Sequence, residues 1–410
     1  MKKRVLSAIA IVIIFVPLML IGGITFTAFM TILEAAGIYE LIKVREKSKK
    51  FPRVVKVFAY LITVLLMVIT MKHELDLSSY QVRTDLLSEI LDKELKDYKR
   101  EIKSVDNIKV ESIFLDKESS LTINKKSGIY KTVYFEDITD EDNYQKLNKV
   151  LISELKEFFN LKKLTNLKNC LIIGLGNRLS TPDAIGPLTL DDIKVTRHLF
   201  TLGFDVLDKY RSIATFTPGV MGTTGIETYD AVMGIIDNIK PDFIIVIDSL
   251  CASSIDRLNK TIQITDTGIH PGSGIGNNRK ELSFETLNIP VIALGIPTVV
   301  EASTIVSNSI EYLFNHISYE IDNRDKKSLK FVPTISRDYK EHRNNFTKAE
   351  KENLLGIVGG LDSASSKDLM REVLLPLGYN YIVSSKEIDF VVKKISALLA
   401  DSLNNSLLLP

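Results

Sequence analysis

The chain has 410 residues, of which 45% are hydrophobic and 25% are charged, and its 52 Lys and Arg side chains offset 51 Asp and Glu side chains to a net charge of +1. That balance argues against direct binding of nucleic acid, which normally requires a basic excess, and the length predicts two or three domains. Two cysteines, Cys170 and Cys251, lie in or beside apolar runs without a CxxC motif. This pattern favours reduced core residues in a reducing compartment over a disulfide or a zinc site.

A nearly uninterrupted apolar stretch, residues 5–42, distinguishes the amino-terminal part of the chain from the rest. Gly22 and Gly23 divide it into two runs of about 18 and 19 residues, near the minimum that crosses the hydrocarbon core of a bilayer. Basic residues flank both ends, so the positive-inside rule predicts a hairpin of two spans with cytoplasmic ends. A third run, 57–70, is about 14 residues long and suits either a short span or an interfacial helix, which leaves the topology open. Residues 1–70 are therefore predicted to be a helical, membrane-like segment that can associate with a membrane.

The same segment resembles the amino-terminal spans of phosphatidate cytidylyltransferases in two places, the run from Met1 to Ile9 and the run from Gly37 to Ile42. The catalytic signature of that family, a cluster of Lys, Asp and Gly near its carboxyl end, has no counterpart in this sequence. We therefore interpret residues 1–70 as an acquired anchor or a fusion scar, and not as part of an active lipid enzyme. An artefact of gene assembly is the third interpretation of this segment.

Alternating helical and strand-like patterns follow the polar stretch 71–149, which itself has helical spacing at 86–95 and strand-like runs at 112–115 and 130–135. Apolar residues at three- and four-residue spacing predict helices, and short apolar runs bounded by turns predict strands. The predicted helices are 151–161, 190–202, 228–239 and 303–316, the predicted strands are 170–175, 212–216, 243–247 and 291–296, and the tail 350–410 is predicted to be helical. Such alternation predicts the α/β fold class, with a mostly parallel sheet and helices on both faces.

Two acidic residues stand just beyond buried strands of this predicted sheet. Asp183 ends the loop that follows the strand 170–175, and Asp248 ends the run Phe243–Ile247. Ligands of such sheets bind outside the carboxyl ends of the strands, so the two acids are expected to face each other across a crevice. Two neighbouring carboxyls share one proton, and one then activates water while the other protonates the leaving amine of a peptide. The competing structural interpretation is that each Asp caps the helix that follows it.

Glycine-rich loops, residues 217–227 and 268–280, follow other predicted strands and permit close backbone approach to a ligand. Nucleotide binding is the obvious alternative for such loops. It fails in detail, because Gly174-Leu-Gly176 lacks the third glycine of the dinucleotide motif and the chain contains no GxxxxGKS or GxxxxGKT sequence.

Residues 71–410 resemble the germination proteases of spore-forming bacteria over nearly their whole length. The motifs that carry the resemblance are Met71–Leu86, Gly174–Asn177, Thr181–Pro187, Thr196–His198, Thr217–Thr228, Pro241–Leu250, Thr261–Glu281, Gly295–Thr304, Glu372–Gly378 and Ser385–Asp389. Glu301 departs from the pattern, since the family is expected to have an Asp there, and residues 249–254 are a looser version of an alanine-rich stretch. The loop that contains Asp183 also resembles that of hydrogenase maturation peptidases, which implies a fold of their kind.

The resemblance implies an endopeptidase that is made as a zymogen in the forespore and degrades small acid-soluble spore proteins during germination. It implies a homo-oligomer in the cytoplasm of the forespore and spore core, which residues 1–70 would tether to a membrane if they insert. It also implies that a pro-segment, 71–85, is removed by cleavage near Asp85 and Leu86 and leaves a peptidase domain, 86–410.

Asp183 and Asp248 are the expected catalytic pair, and the expected reaction uses no cofactor. The residues predicted to bind substrate or to support the site are Gly176, Asn177, His198, Glu227, His270 and Arg279. Two alternatives stay open. In the first, Asp183, Asp248 and His270 hold a divalent metal ion and water, which would make the enzyme a metallopeptidase. In the second, the chain is a membrane protein whose peptidase-like domain is not catalytic.

Overall fold

The computed structural model describes residues 42–43, 86–89, 99–122, 125–272, 279–323, 342, 344–374 and 381–409. The chain divides into two units, Met1–Gln81 and Val82–Pro410, so the sequence-based boundary after residue 70 falls inside the first unit. Apart from residues 42–43, which are helical, the predicted membrane-like segment lies outside the described residues, as does the predicted pro-segment 71–85. No helix within the described ranges is long and apolar enough to cross a bilayer.

A mixed sheet of nine strands forms the centre of the second unit. In chain order the strands are β1 (Lys99–Val105), β2 (Ile108–Leu115), β3 (Gly128–Tyr134), β4 (Asn169–Gly174), β5 (Ser212–Phe216), β6 (Phe243–Ala252), β7 (Thr261–Thr265), β8 (Val291–Glu301) and β9 (Ile382–Val383). Their order in space is β1-β2-β3-β7-β8-β6-β4-β5, and β9 pairs with β8 beside this series. Strands β8, β6, β4 and β5 run parallel to one another, whereas the other pairings are antiparallel.

The prediction of a mostly parallel sheet is wrong, because only β8, β6, β4 and β5 form a parallel half. Asp106 and Asn107 connect β1 to β2 with φ values of +52° and +66°, the backbone that a two-residue hairpin turn requires. Strand β2 of this hairpin pairs with β3, and β3 pairs with β7, the strand that follows β6 after the short helical turn Ile255–Arg257. Strand β7 pairs antiparallel with both β3 and β8, and it thereby links the two halves.

Helices pack against both faces of the parallel half. In chain order the described helices are α1 (Lys117–Thr122), α2 (Glu141–Leu161), α3 (Ile185–Asp191), α4 (Arg197–Thr201), α5 (Met221–Thr224), α6 (Thr228–Ile239), α7 (Phe284–Leu287), α8 (Ala302–Asp322), α9 (Lys348–Leu355), α10 (Ser363–Leu374) and α11 (Ile388–Ser406). Cys170 and Ile172 of β4 share a core cluster with α2 and α11, whereas Leu171 and Ile173 share a second cluster with α6. Successive side chains of a strand point to opposite faces, so this apolar strand is buried on both sides, in agreement with the α/β class.

The predicted helix 190–202 is interrupted, because α3 ends at Asp191 and α4 begins at Arg197. Thr196 lies between them and pairs with β5. Its backbone N–H donates to Ile213 O at 3.1 Å, and the Ile213 N–H donates to Thr196 Oγ1 at 2.9 Å. These bonds hold Thr196 against the sheet and stop a continuous helix. The tail is not wholly helical either, because β9 precedes α11 and pairs with the end of β8.

Candidate active site

A cleft of about 550 Å³ lies at the carboxyl ends of the parallel strands. The loops after β4 and β5, the ends of β6 and β8, and strand β9 contribute to its lining. Both predicted catalytic acids, Asp183 and Asp248, belong to that lining. The cleft therefore occupies the position where ligands of α/β sheets bind, as the strand-end argument predicts.

The loop between β4 and α3 holds Asp183 by hydrogen bonds to its own backbone. The Asn177 N–H donates to both the carbonyl oxygen and the Oδ2 of Asp183, at 2.9 Å in each case. The Asp183 N–H donates to Ser180 O at 2.8 Å, and Thr181–Asp183 forms a 3-10 turn with a proline near its start. Proline suits that place because its φ is already fixed and the first N–H of a helical turn needs no partner. Backbone groups, which are less mobile than long side chains, thus orient the first acid.

Glycines let this loop close tightly. Gly176 has a φ of +111°, and a Cβ at that position would lie 2.0 Å from the carbonyl oxygen of Asp183. A Cβ at Gly186 of α3 would lie 2.3 Å from Leu175 O. The glycines of this motif therefore serve a close approach of backbone to backbone, and at Gly176 the approached group is the carbonyl of Asp183.

Burial raises the pKa of Asp183 from its ordinary value of 3.8 to about 6. The Asn177 N–H and the positive charge of Arg279 lower the pKa, but they do not cancel the effect of burial. A carboxyl with this pKa takes up and releases a proton close to neutral pH, which is the property that acid–base catalysis requires.

Asp248 reaches the cleft from β6, the central strand between β4 and β8. Only 5% of Asp248 is exposed, and the Ser249 N–H donates to its Oδ1 at 2.8 Å. A buried carboxylate requires such hydrogen bonds, because its transfer from water is otherwise very unfavourable. The two acids therefore differ in their supports: a loop holds Asp183, and a strand of the sheet holds Asp248.

Arg279 and Glu227 lie in or beside the cleft. Arg279 is part of the lining, and a Cβ at Gly272 would come within 3.5 Å of its guanidinium carbon. Glu227 is outside the lining, but its Oε1 accepts a hydrogen bond from the Lys280 N–H at 3.1 Å. Glu227 thus holds the residue next to Arg279, and the structure gives it a supporting position.

Neither of the two predicted histidines is among the residues that line the cleft of the acids. His270 lines a separate cavity of about 210 Å³, and its Nε2 is 3.1 Å from Glu281 Oε2. His198 is exposed on α4, in a groove beside β5. The structure therefore does not assemble the alternative metal set of Asp183, Asp248 and His270. Within the ranges that the structure describes, no three His, Cys, Asp or Glu side chains are grouped to hold a metal ion.

Several lining residues were not predicted from the sequence. Thr298 and Val299 of β8 line the cleft, as do Ile382 and Ser384 at β9. Thr298 and Val299 lie in the motif Gly295–Thr304, yet their place in the cleft depends on irregular pairing between β6 and β8 that no local pattern reveals. The β9 residues were missed because the tail was predicted to be helical.

Leu86, the first residue after the predicted cleavage point, is fully buried beside Leu250, whereas Asp85 lies outside the described residues. The Leu87 N–H donates to Gln263 Oε1 of β7 at 3.0 Å. Residues 86–89 are therefore an integral part of the folded second unit.

Comparison with known proteins assigns the chain to a family. The sequence model described as "Germination protease" matches residues 76–409, and one described as "Cytidylyltransferase family" matches residues 2–115. The germination protease of Bacillus pumilus is 42% identical over 357 residues, which cover 82% of this chain and 96% of the relative. That of Bacillus subtilis strain 168 is 41% identical over 354 residues, with the same shares covered.

Among solved structures, a [NiFe] hydrogenase maturation protease, HycI from Thermococcus kodakarensis, is 16% identical, with a TM-score of 0.22, and the match covers 35% of this chain and 80% of that one. This similarity is too low to support an argument about the fold. The sequence matches are decisive by contrast, because they span four-fifths of the chain and nearly the whole of each relative. They confirm the predicted identity: the chain belongs to the germination protease family of spore-protein-degrading endopeptidases.

Proposed function

We propose that this chain is an aspartic-type endopeptidase in which Asp183 and Asp248 form the catalytic pair that degrades small acid-soluble spore proteins in the spore core. The observation that carries the proposal is the position of the two acids, which come from separate strand ends yet line one cleft. The cleft is large enough for several residues of an extended peptide, since ligand pockets commonly measure about 300–1,000 Å³. Family membership supports the proposed class of substrate.

Burial raises the pKa of Asp183 to about 6, so we assign this acid the role of proton donor. Asp248 then accepts a proton from water as the water oxygen bonds to the peptide carbonyl carbon. The π electrons of the carbonyl move to its oxygen, and a tetrahedral intermediate forms. When the C–N bond breaks, its electron pair takes the proton of Asp183, and an amine leaves. The reaction consumes one water and regenerates the pair by proton exchange.

The zymogen is a second part of the proposal. Cleavage near Asp85 and Leu86 separates the pro-segment 71–85, together with the preceding residues 1–70, from the peptidase domain 86–410. Two buried hydrogen bonds support a boundary before Leu86. The Leu87 N–H donates to Gln263 Oε1 of β7, and the Ser253 N–H donates to Glu89 Oε2 at 2.7 Å. Mass spectrometry of the incubated full chain tests it: a new amino terminus at or just before Leu86 is expected, and one at residue 87 or beyond would contradict the proposal. Sedimentation of the same sample tests the proposed homo-oligomer.

The test of the acid pair uses the full chain, before and after removal of the residues that precede Leu86, with a purified small acid-soluble spore protein. Asp183→Asn and Asp248→Asn are compared with Asp237→Asn, which removes an exposed carboxylate from α6 outside the cleft. We expect the parent and Asp237→Asn to cut equally, and each cleft variant to lose about 10²–10⁴-fold in kcat.

Three other outcomes would contradict the proposal. Cutting by folded cleft variants at the parent rate would reject the acid pair, and failure of both parent forms would favour the non-catalytic alternative. Loss of parent activity in excess chelator, restored by a divalent ion, would favour a metallopeptidase instead.

A further inference from the structure

Asn177, in the loop between β4 and α3, lies next to one of the two acids. It lines the cleft and is partly exposed, so a substrate in the cleft can contact it. Its backbone N–H donates to Asp183 Oδ2 at 2.9 Å, which ties the residue directly to the carboxyl group. The side chain of Asn177 starts from the Cα bonded to this same nitrogen, so its amide lies within one side-chain length of the acid.

The amide of Asn177 has one atom engaged and one atom available. Its Oδ1 accepts the Leu179 N–H at 3.0 Å, which holds the side chain in a turn of its own loop. Because a backbone N–H can only donate, the amide atom that faces Leu179 has to be the oxygen, and this fixes the place of Nδ2. Within the described part of the chain, Nδ2 has no hydrogen-bond partner. An oriented amide nitrogen with two N–H donors is therefore available to a ligand beside Asp183.

We propose that Asn177 Nδ2 donates a hydrogen bond to the carbonyl oxygen of the scissile peptide bond. This inference rests on the proposed endopeptidase function, in which Asp183 protonates the leaving nitrogen. The leaving nitrogen and the carbonyl oxygen are bonded to the same carbon, so a donor for the oxygen has to lie close to the acid that serves the nitrogen. Asn177 meets that condition, because its own backbone is hydrogen-bonded to the carboxyl of Asp183.

The amide acts on the charge that forms in the addition step. As the water oxygen bonds to the carbonyl carbon and Asp248 takes the water proton, the π electron pair moves to the carbonyl oxygen. Negative charge develops on that oxygen and is released when the carbonyl re-forms, the C–N bond breaks and the nitrogen takes the proton of Asp183. A donor that is positioned before the reaction stabilises this charge more in the transition state than in the bound substrate. Its loss therefore lowers kcat more than it raises KM.

Arg279 is the alternative donor, because it lines the same cleft and its charge acts on Asp183. Its guanidinium stands at the end of a long side chain, whereas a hydrogen bond within a tight turn fixes the amide of Asn177. A fixed donor needs no reorganisation as charge develops on the substrate, which favours Asn177.

The experiment measures kcat, KM and the melting temperature of Asn177→Ser and Asn177→Ala on a small acid-soluble spore protein, after removal of the residues that precede Leu86. Asn177→Ser keeps an oxygen that accepts the Leu179 N–H, but it lacks Nδ2 and its hydroxyl is one bond shorter. We expect its kcat to fall by about 10²–10³-fold, with KM within about threefold of the parent and a melting temperature close to that of the parent. Asn177→Ala should be equally slow, and it should also melt at a lower temperature because the turn loses its acceptor.

Two controls separate loss of the donor from a disturbed site. The backbone N–H that bonds Asp183 remains in both variants, so the pH dependence of kcat/KM should stay unchanged. Asn238→Ala removes an amide on the exposed side of α6, outside the cleft, where Nδ2 donates to Gly234 O at 2.7 Å. This variant should keep the parent kcat.

The inference is overturned if Asn177→Ser keeps the parent kcat while Asn177→Ala is slow, because the side chain would then serve only the turn. It is also overturned if Arg279→Gln shows the loss of kcat and Asn177→Ser does not, because Arg279 would then be the donor. The Asp183→Asn and Asp248→Asn variants report on the proposed function separately. If they are inactive and Asn177→Ser is not, only the role of Asn177 is rejected, whereas activity in the acid variants would reject the acid pair itself.

Discussion

Gly176 and Asp183 approach each other so closely that a Cβ on the glycine would lie 2.0 Å from the carbonyl oxygen of the acid. The same Asp183 oxygen accepts the Asn177 N–H. The position of the acid therefore depends on the absence of a side chain seven residues earlier in the chain.

The first prediction concerns Gly176→Ala. Its Cβ must displace the backbone of Asp183, and its φ of +111° is strained for alanine, so we expect a loss of about 1–3 kcal/mol of unfolding free energy. We also expect kcat to fall at least about tenfold, because small misplacements of catalytic groups are costly. Gly203→Ala is the control, since Gly203 has a φ of +74° with no neighbour within 4 Å of its Cβ position. Equal kcat values for the two variants would contradict the crowding argument.

The second prediction concerns stability as a function of pH. The pKa of Asp183 is higher in the folded state, about 6, than its ordinary value of 3.8. Between these values the folded protein binds more protons than the unfolded chain, so this group's contribution to stability falls as pH rises from about 4 to about 6. Asp183→Asn removes the penalty and should be more stable than the parent by about 1–3 kcal/mol at pH 7. Chemical denaturation at pH 4 and 7 measures it, and a variant that gains nothing at pH 7 would contradict the raised pKa.

The third prediction concerns the pH dependence of activity. If protonated Asp183 supplies the leaving-group proton, kcat/KM falls as pH rises through about 6. The positive charge of Arg279 lowers the pKa of Asp183. Arg279→Gln should therefore move this fall in kcat/KM to higher pH. Lys280→Gln is the control, because it removes the neighbouring positive charge, which lies 3.9 Å from Asp230 Oδ1. It should leave the pH at which kcat/KM falls unchanged. Identical shifts in both variants would indicate a general charge effect and not a specific one.

The fourth prediction concerns a buried ion pair between β3 and α2. Lys131 Nζ lies 2.9 Å from Glu154 Oε2, and both side chains are almost completely buried. Lys131→Met leaves a buried carboxylate with one partner fewer and should cost about 3–5 kcal/mol in denaturant unfolding. The double variant Lys131→Met/Glu154→Leu should recover most of this loss, because it removes both charges. A double variant as unstable as the single one would show that packing, not charge, is responsible.

The sequence predicts that Asp183 and Asp248 line one cleft, because each Asp follows its own apolar strand and the ends of parallel strands meet at one edge. It does not predict the antiparallel half, since the pairing of β7 with β3 joins residues that are far apart in the chain. The sequence also does not show which residues of a loop line the same cavity. His270 lies in the same glycine-rich loop as Arg279, yet only Arg279 lines the acid cleft.

The position of Thr298 in the cleft also could not be predicted from the sequence. Simple alternation along β8 predicts one side-chain direction for each residue, but a β-bulge in the pairing with β6 interrupts that alternation after Pro297. The position of a bulge is set by how two strands pair, so the sequence of one strand alone does not predict it.

Strand β1 forms one edge of the sheet, and every residue in it is exposed. An uncovered edge is a template on which other chains can add strands and aggregate. The sequence of β1, Lys-Arg-Glu-Ile-Lys-Ser-Val, opposes this with charges at four of its seven positions. A second strand that approached this edge would have to strip water from these charges. Among the described strands the sheet ends at β1, and the charges of this strand disfavour the assembly of copies through its edge.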